Sequence, residues 1–142
     1  MLEVHSIQRG IVLDHIVAGN GLKIFNKLML DKVDFSVFLL MNVPSQSMGK
    51  KDVIKIENKI DIDLDFLGLM DHHITLNIIE GGQIIQKRKL TIPRKVRGLI
   101  SCHNPRCITN SDDYAQADFE LVSAEKLEYR CGYCEEITRY IP

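Results

Sequence analysis

Tryptophan is absent from this sequence of 142 residues, and aromatic residues make up only 6% of it. The apolar runs are short, far below the ~20 residues that a membrane-spanning helix needs, which excludes a transmembrane segment. The first ten residues, MLEVHSIQRG, lack the basic and apolar stretches of a secretory signal peptide. Basic residues are not in excess either, with 18 Lys and Arg against 19 Asp and Glu, whereas nucleic-acid-binding proteins are usually basic. We therefore expect a cytoplasmic protein that is not a general nucleic-acid-binding protein.

Cysteine is absent from residues 1–101, and all four cysteines lie in the last third of the chain. The charge changes in the same place, because residues 1–100 carry 14 basic and 11 acidic side chains, and residues 101–142 carry 4 and 8. A proline at position 93 disfavours helix at Ile92, which predicts a hinge over residues 91–94. Two modules are expected.

The first module alternates segments typical of strands with segments typical of helices. Apolar residues recur at helical spacing over 22–29, where Asn20 is a candidate cap, and again over 63–70. The pair Gly81-Gly82 between two β-branched runs predicts a tight hairpin. The predicted order β-α-β-β-α-β-β indicates an α+β fold in which one sheet carries two helices on one face, a ferredoxin-like sandwich.

The four cysteines have the spacing of a structural zinc site. Cys102 and Cys107 form one close pair, and Cys131 and Cys134 form a second pair further along the chain. Four thiolates in two pairs satisfy tetrahedral zinc and leave no open position for catalysis. Strands are expected over 117–122 and 126–130, so that the module is a small all-β zinc-binding domain stabilised by its metal.

Other interpretations of these residues remain open at this stage. The cysteines could form two disulfides or a redox pair, although a cytosolic chain keeps its thiols reduced. Asp61, Asp63 and Asp65 could hold a metal, but acidic residues at a helix start more often favour its dipole. The basic run over 87–97 could bind nucleic acid beside a zinc ribbon. No catalytic motif is present, which argues against an enzyme.

Three lysines are predicted to lie on neighbouring elements. Lys51, Lys55 and Lys87 could converge on a polyphosphate, with Asp14 and His15 beside them. Spacing alone leaves scattered surface lysines as the simpler explanation.

Three separated motifs resemble one known family. They are Arg9-Gly10-x-Val12-x-Asp14-His15-Ile16, the stretch from Asn42 to Asn58 containing Pro44-Ser45 and Met48-Gly49-x-Lys51-Asp52, and the paired cysteines. Together they resemble the regulatory chain of aspartate carbamoyltransferase from end to end. That family is not catalytic, and the resemblance implies that residues 1–95 bind ATP or CTP and form a homodimer. Residues 98–142 would bind Zn²⁺ and contact catalytic trimers in pyrimidine biosynthesis.

The resemblance also implies the residues of a nucleotide site. Lys87 and Lys51 would contact the phosphates, Lys55 and Asp14 the ribose or base, and the backbone near Ile7 and Ile79 the base edge. His5 and Gly82 depart from the family pattern, so an adaptor that has lost nucleotide control is a further hypothesis. In the zinc domain, Asn104 and Glu135 match positions that contact catalytic chains, whereas Arg106 replaces an amide. The implied nucleotide site comprises Val4, Ile7, Val12, Asp14, His15, Lys51, Val53, Lys55, Asn77, Ile79, Ile84 and Lys87.

Overall fold

The computed structural model describes residues 7–141, and the chain divides into two compact units between Thr91 and Ile92. Among these residues, no helix combines the length and hydropathy that a membrane crossing requires. Val4, which is expected in the nucleotide site, and His5 lie outside the described residues, whereas Ile7 lies within them.

Among the described residues, the first unit contains five strands, two α-helices and one short 3-10 helix (Leu30–Lys32). Two of the strands follow each helix, as the sequence predicts. In chain order the elements are β1 (Arg9–Val17), α1 (Gly21–Lys27), β2 (Val37–Ser45), β3 (Gly49–Ile56), α2 (Leu64–Met70), β4 (Thr75–Glu80) and β5 (Gln83–Lys89).

These strands form one antiparallel sheet in the order β2-β3-β1-β4-β5. Successive side chains of a strand point to opposite faces, and Ile11 and Leu13 of β1 belong to the same buried core cluster as Ile24 of α1 and Leu67 of α2. Both helices therefore cover one face of the sheet. The predicted α+β class is confirmed.

Glycine is required at two places in this sheet, one where strands approach closely and one at a tight turn. Gly10 has φ 154°, and a Cβ there would lie only 1.9 Å from the backbone oxygen of Ile56 on β3. Gly81 and Gly82 have φ values of 61° and 76°, which suit the two-residue turn between β4 and β5. The predicted hairpin is confirmed.

The helix starts confirm one sequence prediction and correct another. Asp63 precedes α2 and accepts hydrogen bonds from the N–H groups of Asp65 and Phe66, so this carboxylate is a helix cap. Asn20 stands at the corresponding position of α1 but makes no cap; its side chain donates to the buried Asp71 instead. Asn20 has helical dihedral angles, φ −89° and ψ −17°, whereas a capping residue is typically extended, so the expected capping by Asn20 is wrong.

The second unit is a four-stranded antiparallel sheet in the order β6-β7-β8-β9. Phe119 and Tyr129 form its core at 1% and 0% exposure, and the Tyr129 hydroxyl donates to the backbone oxygen of Pro93. The strand expected over 126–130 begins only at Glu128, because Leu127 lies in a turn with φ 52°. The sequence predicts only the two central strands. The four strands are β6 (Lys95–Arg97), β7 (Asp118–Ser123), β8 (Glu128–Cys131) and β9 (Ile137–Arg139).

Candidate functional site

The four cysteines of the second unit converge on one point. Their sulfur atoms all lie within 4.8 Å of one another, and the Cys102 and Cys134 sulfurs are 3.6 Å apart. The Cys107 and Cys131 sulfurs are 3.7 Å apart. Ligands at 2.3 Å around a tetrahedral zinc ion stand about 3.8 Å from one another, whereas a disulfide requires about 2.05 Å. The cluster therefore fits one tetrahedral metal ion, and the four thiols are free of disulfides.

Backbone hydrogen bonds hold the two cysteine loops in shape. In the first loop, the Asn104 side chain accepts from the N–H of Arg106, and its backbone oxygen accepts from the N–H of Cys107. In the second loop, the N–H of Glu135 donates to the backbone oxygen of Cys131, with Glu135 in the left-handed region at φ 65°. Asn104 and Glu135, the two positions of expected partner contact, are thus fixed by the loops that carry the metal ligands.

Three polar residues that the sequence analysis missed support this centre. The Asn110 side chain donates to the backbone oxygens of Cys102 and Asn104 at 2.9 and 2.7 Å. The Thr138 hydroxyl, which is buried, accepts from the N–H of His103. Hydrogen bonds from Thr109 lower the pKa of Cys107 to about 7, whereas burial raises the pKa of Cys102 to about 12. The sequence gives little indication of Asn110, Thr109 and Thr138, because each is of a type that is common in loops or strands.

The expected nucleotide residues of the first unit share the sheet face that the helices leave uncovered. Cross-strand partners lie on the same face, and the register aligns Lys55, Val12, Asn77 and Lys87 in one row across β3, β1, β4 and β5. A neighbouring row contains Asp14, Thr75 and Lys89. The structure therefore brings together side chains that are up to 75 positions apart in the sequence.

The remaining expected residues form the floor and one edge of this face. Val53 and Ile79 are buried at 6% and 7% exposure yet lie outside the core cluster under the helices. Ile84 pairs with Ile79 and is 56% exposed. Ile7 is buried just before β1, but no strand partner aligns it with the rows.

Asn77 is unusual on this face. Its side chain is 5% exposed, and among the described residues its Oδ1 is the one buried side-chain oxygen or nitrogen without a hydrogen-bond partner. An unsatisfied buried polar atom costs about 1–3 kcal/mol. Asn77 lies between Val12 and Lys87 in the row, so the atom without a partner belongs to the expected nucleotide residues.

Asp14 and Lys51 form an ion pair of 2.9 Å at the same face. Burial favours the neutral carboxyl, but hydrogen bonds from Lys51 and from the N–H of His15 outweigh it, so the pKa of Asp14 lies below its ordinary value. The His15 ring nitrogen Nδ1 lies 3.1 Å from the Thr75 hydroxyl. The Lys51 charge is therefore already paired, whereas Lys87 has no ion-pair partner among the described residues.

Comparisons with known proteins agree with both halves of this architecture. Residues 2–91 match the allosteric domain of the aspartate carbamoyltransferase regulatory chain, and residues 94–141 match its metal-binding domain. The chain belongs to this family. The regulatory chain of Clostridium tetani is 53% identical over 142 residues, covering 99% of each protein. The regulatory chain of Bifidobacterium longum is 44% identical over 135 residues, covering 95% of this chain and 97% of its relative.

Membership in this family makes the protein a regulatory chain and not a catalytic one. The four-cysteine cluster lies within the part that matches the metal-binding domain, and the paired rows of the open sheet face lie within the part that matches the allosteric domain.

Proposed function

We propose that this protein is the non-catalytic allosteric subunit of an aspartate carbamoyltransferase, which binds ATP or CTP and links catalytic trimers in pyrimidine biosynthesis. It acts in the cytoplasm. The nucleotide would lie on the open sheet face, with Lys87 at the phosphates. The observation that carries this proposal is the unpartnered buried Oδ1 of Asn77 in the row that ends at Lys87.

The metal in this proposal is Zn²⁺, one ion per chain, held by Cys102, Cys107, Cys131 and Cys134. Thiolates select zinc among the common divalent ions, and four of them leave no site for substrate. The ion would fix the loops of Asn104 and Glu135 for contact with catalytic chains. Next to the second loop lies a concavity of about 230 Å³ with side chains of both charges, among them Asp118, Arg130 and Glu135, which suits a polar contact.

Nucleic-acid binding by the basic run is less well supported. Lys87 and Lys89 lie on one face of β5, and Arg88 lies on the opposite face. On β6, Lys95 and Arg97 stand opposite Glu120 and Asp118 of β7. The basic side chains of β5 alternate between the two faces of the sheet, and those of β6 have acidic cross-strand partners. The run therefore does not form one continuous basic surface within either unit.

The proposed function is tested first by calorimetric titration of the zinc-loaded protein with CTP and with ATP. We expect saturable binding of one nucleotide per chain. Absence of binding by both nucleotides, confirmed by equilibrium dialysis, would contradict nucleotide control and leave a structural adaptor of the same complex. The matching experiment for assembly mixes the protein with catalytic trimers and measures the mass of the complex.

The homodimer is proposed to form through strand β2. Both β2 and β5 are edge strands, but β5 carries three consecutive basic residues, which discourage pairing of edges. Strand β2, with the sequence VFLLMNVPS, carries no charge, and Met41 on it is 56% exposed. An uncharged edge with an exposed apolar side chain favours pairing with a second copy.

We expect Met41→Lys to convert the dimer into a monomer in sedimentation velocity, because the new charge would have to be buried at the paired edge. Ile85→Lys on β5 is the matched control, since Ile85 is 57% exposed on the other edge. It should leave the dimer intact. If Met41→Lys stays dimeric while Ile85→Lys dissociates, the dimer uses β5 instead.

A further inference from the structure

A large cavity opens in the first unit where the row of Asp14, Thr75 and Lys89 ends. Its volume is about 850 Å³. It includes two expected nucleotide residues, His15 and Lys87, and extends beyond them. The additional residues come from the turn after β2, from the loop between α2 and β4, and from the end of β5. The cavity is lined by His15, Ser47, Met48, His72, His73, Thr75, Lys87, Lys89 and Leu90.

The side chains around this cavity favour an anion. Two lysines and three histidines line it, and no carboxylate is among the described residues that do. The nearest acidic groups are already engaged, because Asp14 pairs with Lys51 and Asp71 accepts hydrogen bonds from Val17, Asn20 and His73. Lys87 and Lys89 therefore offer positive charge to the cavity, and neither has an ion-pair partner among the described residues.

The loop between α2 and β4 presents a fixed pair of histidines. The His73 Nδ1 lies 3.0 Å from a carboxylate oxygen of Asp71, which is 4% exposed and also accepts from the His73 N–H. The His72 ring contacts the His73 ring in a tilted arrangement, with 4.2 Å between centroids and 33° between the ring planes. Because Nδ1 of His73 donates to this carboxylate, the Nε2 atom has a proton to donate to an anion only when the ring is protonated.

We propose that His72 and His73 determine effector specificity by binding the terminal phosphate of a nucleoside triphosphate. This inference rests on the proposed nucleotide site, whose row from Asn77 to Lys87 leads into the cavity. The third phosphate adds negative charge at the end of the ligand furthest from the base. When protonated, the histidine pair would supply positive charge there in addition to that of Lys87. Lys89, aligned with Thr75, would assist.

Binding at this position would be coupled to proton uptake. Burial, and then the neighbouring His73, lower the pKa of His72 below its ordinary value, while Asp71 opposes the change. His72 is therefore neutral near pH 7.5, and a phosphate beside it favours its protonated form. Other groups facing the pair are His15, Lys87 and Lys89. Triphosphate affinity should increase as the pH falls from 8 to 6.

The test is calorimetry of the full-length zinc-loaded protein with CTP, CDP, CMP and inorganic triphosphate at pH 6 and pH 8. The variants are His72→Gln/His73→Gln, Lys89→Gln and, as a control on the opposite face of β5, Arg88→Gln. We expect the double variant to weaken CTP about tenfold, the size of one lost charged hydrogen bond, and to change CMP by less than twofold. The affinity for CTP should depend less on pH in that variant than in the unaltered protein. Protonation of CTP itself affects both proteins equally, so it cancels in this comparison.

Each outcome separates this inference from the proposed function. If the unaltered protein binds none of the nucleotides, the nucleotide site itself is wrong. If it binds CTP but the double variant and Lys89→Gln keep the same preference for CTP over CMP, the histidine pair does not determine specificity. If inorganic triphosphate binds more tightly than CTP, the cavity serves a free polyphosphate, which also overturns the inference. Circular dichroism at both pH values confirms that the variants are folded.

Discussion

Cys107→Ser is expected to release the metal, unfold the second unit and abolish association with catalytic chains. The second unit comprises only about fifty residues, too few for a core that is stable without an added constraint. Binding of structural zinc contributes about 10–16 kcal/mol in zinc-finger peptides, which matches or exceeds the total stability of a typical domain. Loss of one of four ligands therefore removes most of the free energy that folds this unit.

The structure indicates why Cys107 is a sensitive position. It is 2% exposed, its sulfur lies 3.7 Å from that of Cys131 on β8, and its N–H closes the turn on Asn104. The substitution thus breaks the link between the first loop and the sheet. A chromophoric chelator measures the metal, and sedimentation with catalytic trimers measures association.

The control for this experiment is Ser101→Ala, an exposed position next to a ligand that should leave both quantities unchanged. Calorimetry with CTP supplies an internal control, because the proposed nucleotide residues all lie in the first unit and binding should persist. A Cys107→Ser protein that retained one metal ion per chain and still joined catalytic trimers would show that three thiolates suffice.

The alternation of residues predicted much of the sheet. Along β3, Lys51, Val53 and Lys55 alternate with buried Asp52, Ile54 and Ile56, so the two faces could be assigned before the structure was known. The same alternation could have added Thr75 and Lys89 to the site, since each is two positions from an expected residue, Asn77 or Lys87. Local periodicity is sufficient to assign side chains to the two faces of a sheet wherever one face is polar and the other apolar.

Other features depend on contacts that no local pattern contains. His72 and His73 lie in a loop without periodicity, and only the pairing of β4 with β1 and β5 brings that loop beside His15 and Lys89. Strands β6 and β9 have three residues each, too short for a detectable period. Asp52 illustrates the limit most clearly: alternation places it on the same face of β3 as Ile54 and Ile56, but does not show that it accepts hydrogen bonds from the N–H groups of Gly19, Gly21 and Asn42.

Lys87→Gln is expected to weaken binding of CTP and ATP by roughly 10- to 100-fold, the effect of removing a hydrogen bond to a charged group. Glutamine keeps most of the side-chain length but removes the positive charge that would face a phosphate. Lys87 stands opposite Asn77, so its charge lies next to the one buried oxygen of the described residues that lacks a partner. Assembly with catalytic trimers should be unchanged, because the metal-binding unit carries that contact in the proposed function.

Arg88→Gln is the control that makes this result specific. It removes the same charge one residue further along β5, but from the opposite face, where Arg88 is paired with Leu76. If the nucleotide were held only by nonspecific attraction to a basic strand, both substitutions would weaken nucleotide binding equally. The loss of affinity would then be larger at low salt. If the nucleotide binds on the open sheet face, only Lys87→Gln should weaken its binding. Equal nucleotide affinities in Lys87→Gln, Arg88→Gln and the unaltered protein would place the phosphates elsewhere, and the neutral Asp14–Lys51 pair would then need to open to receive them.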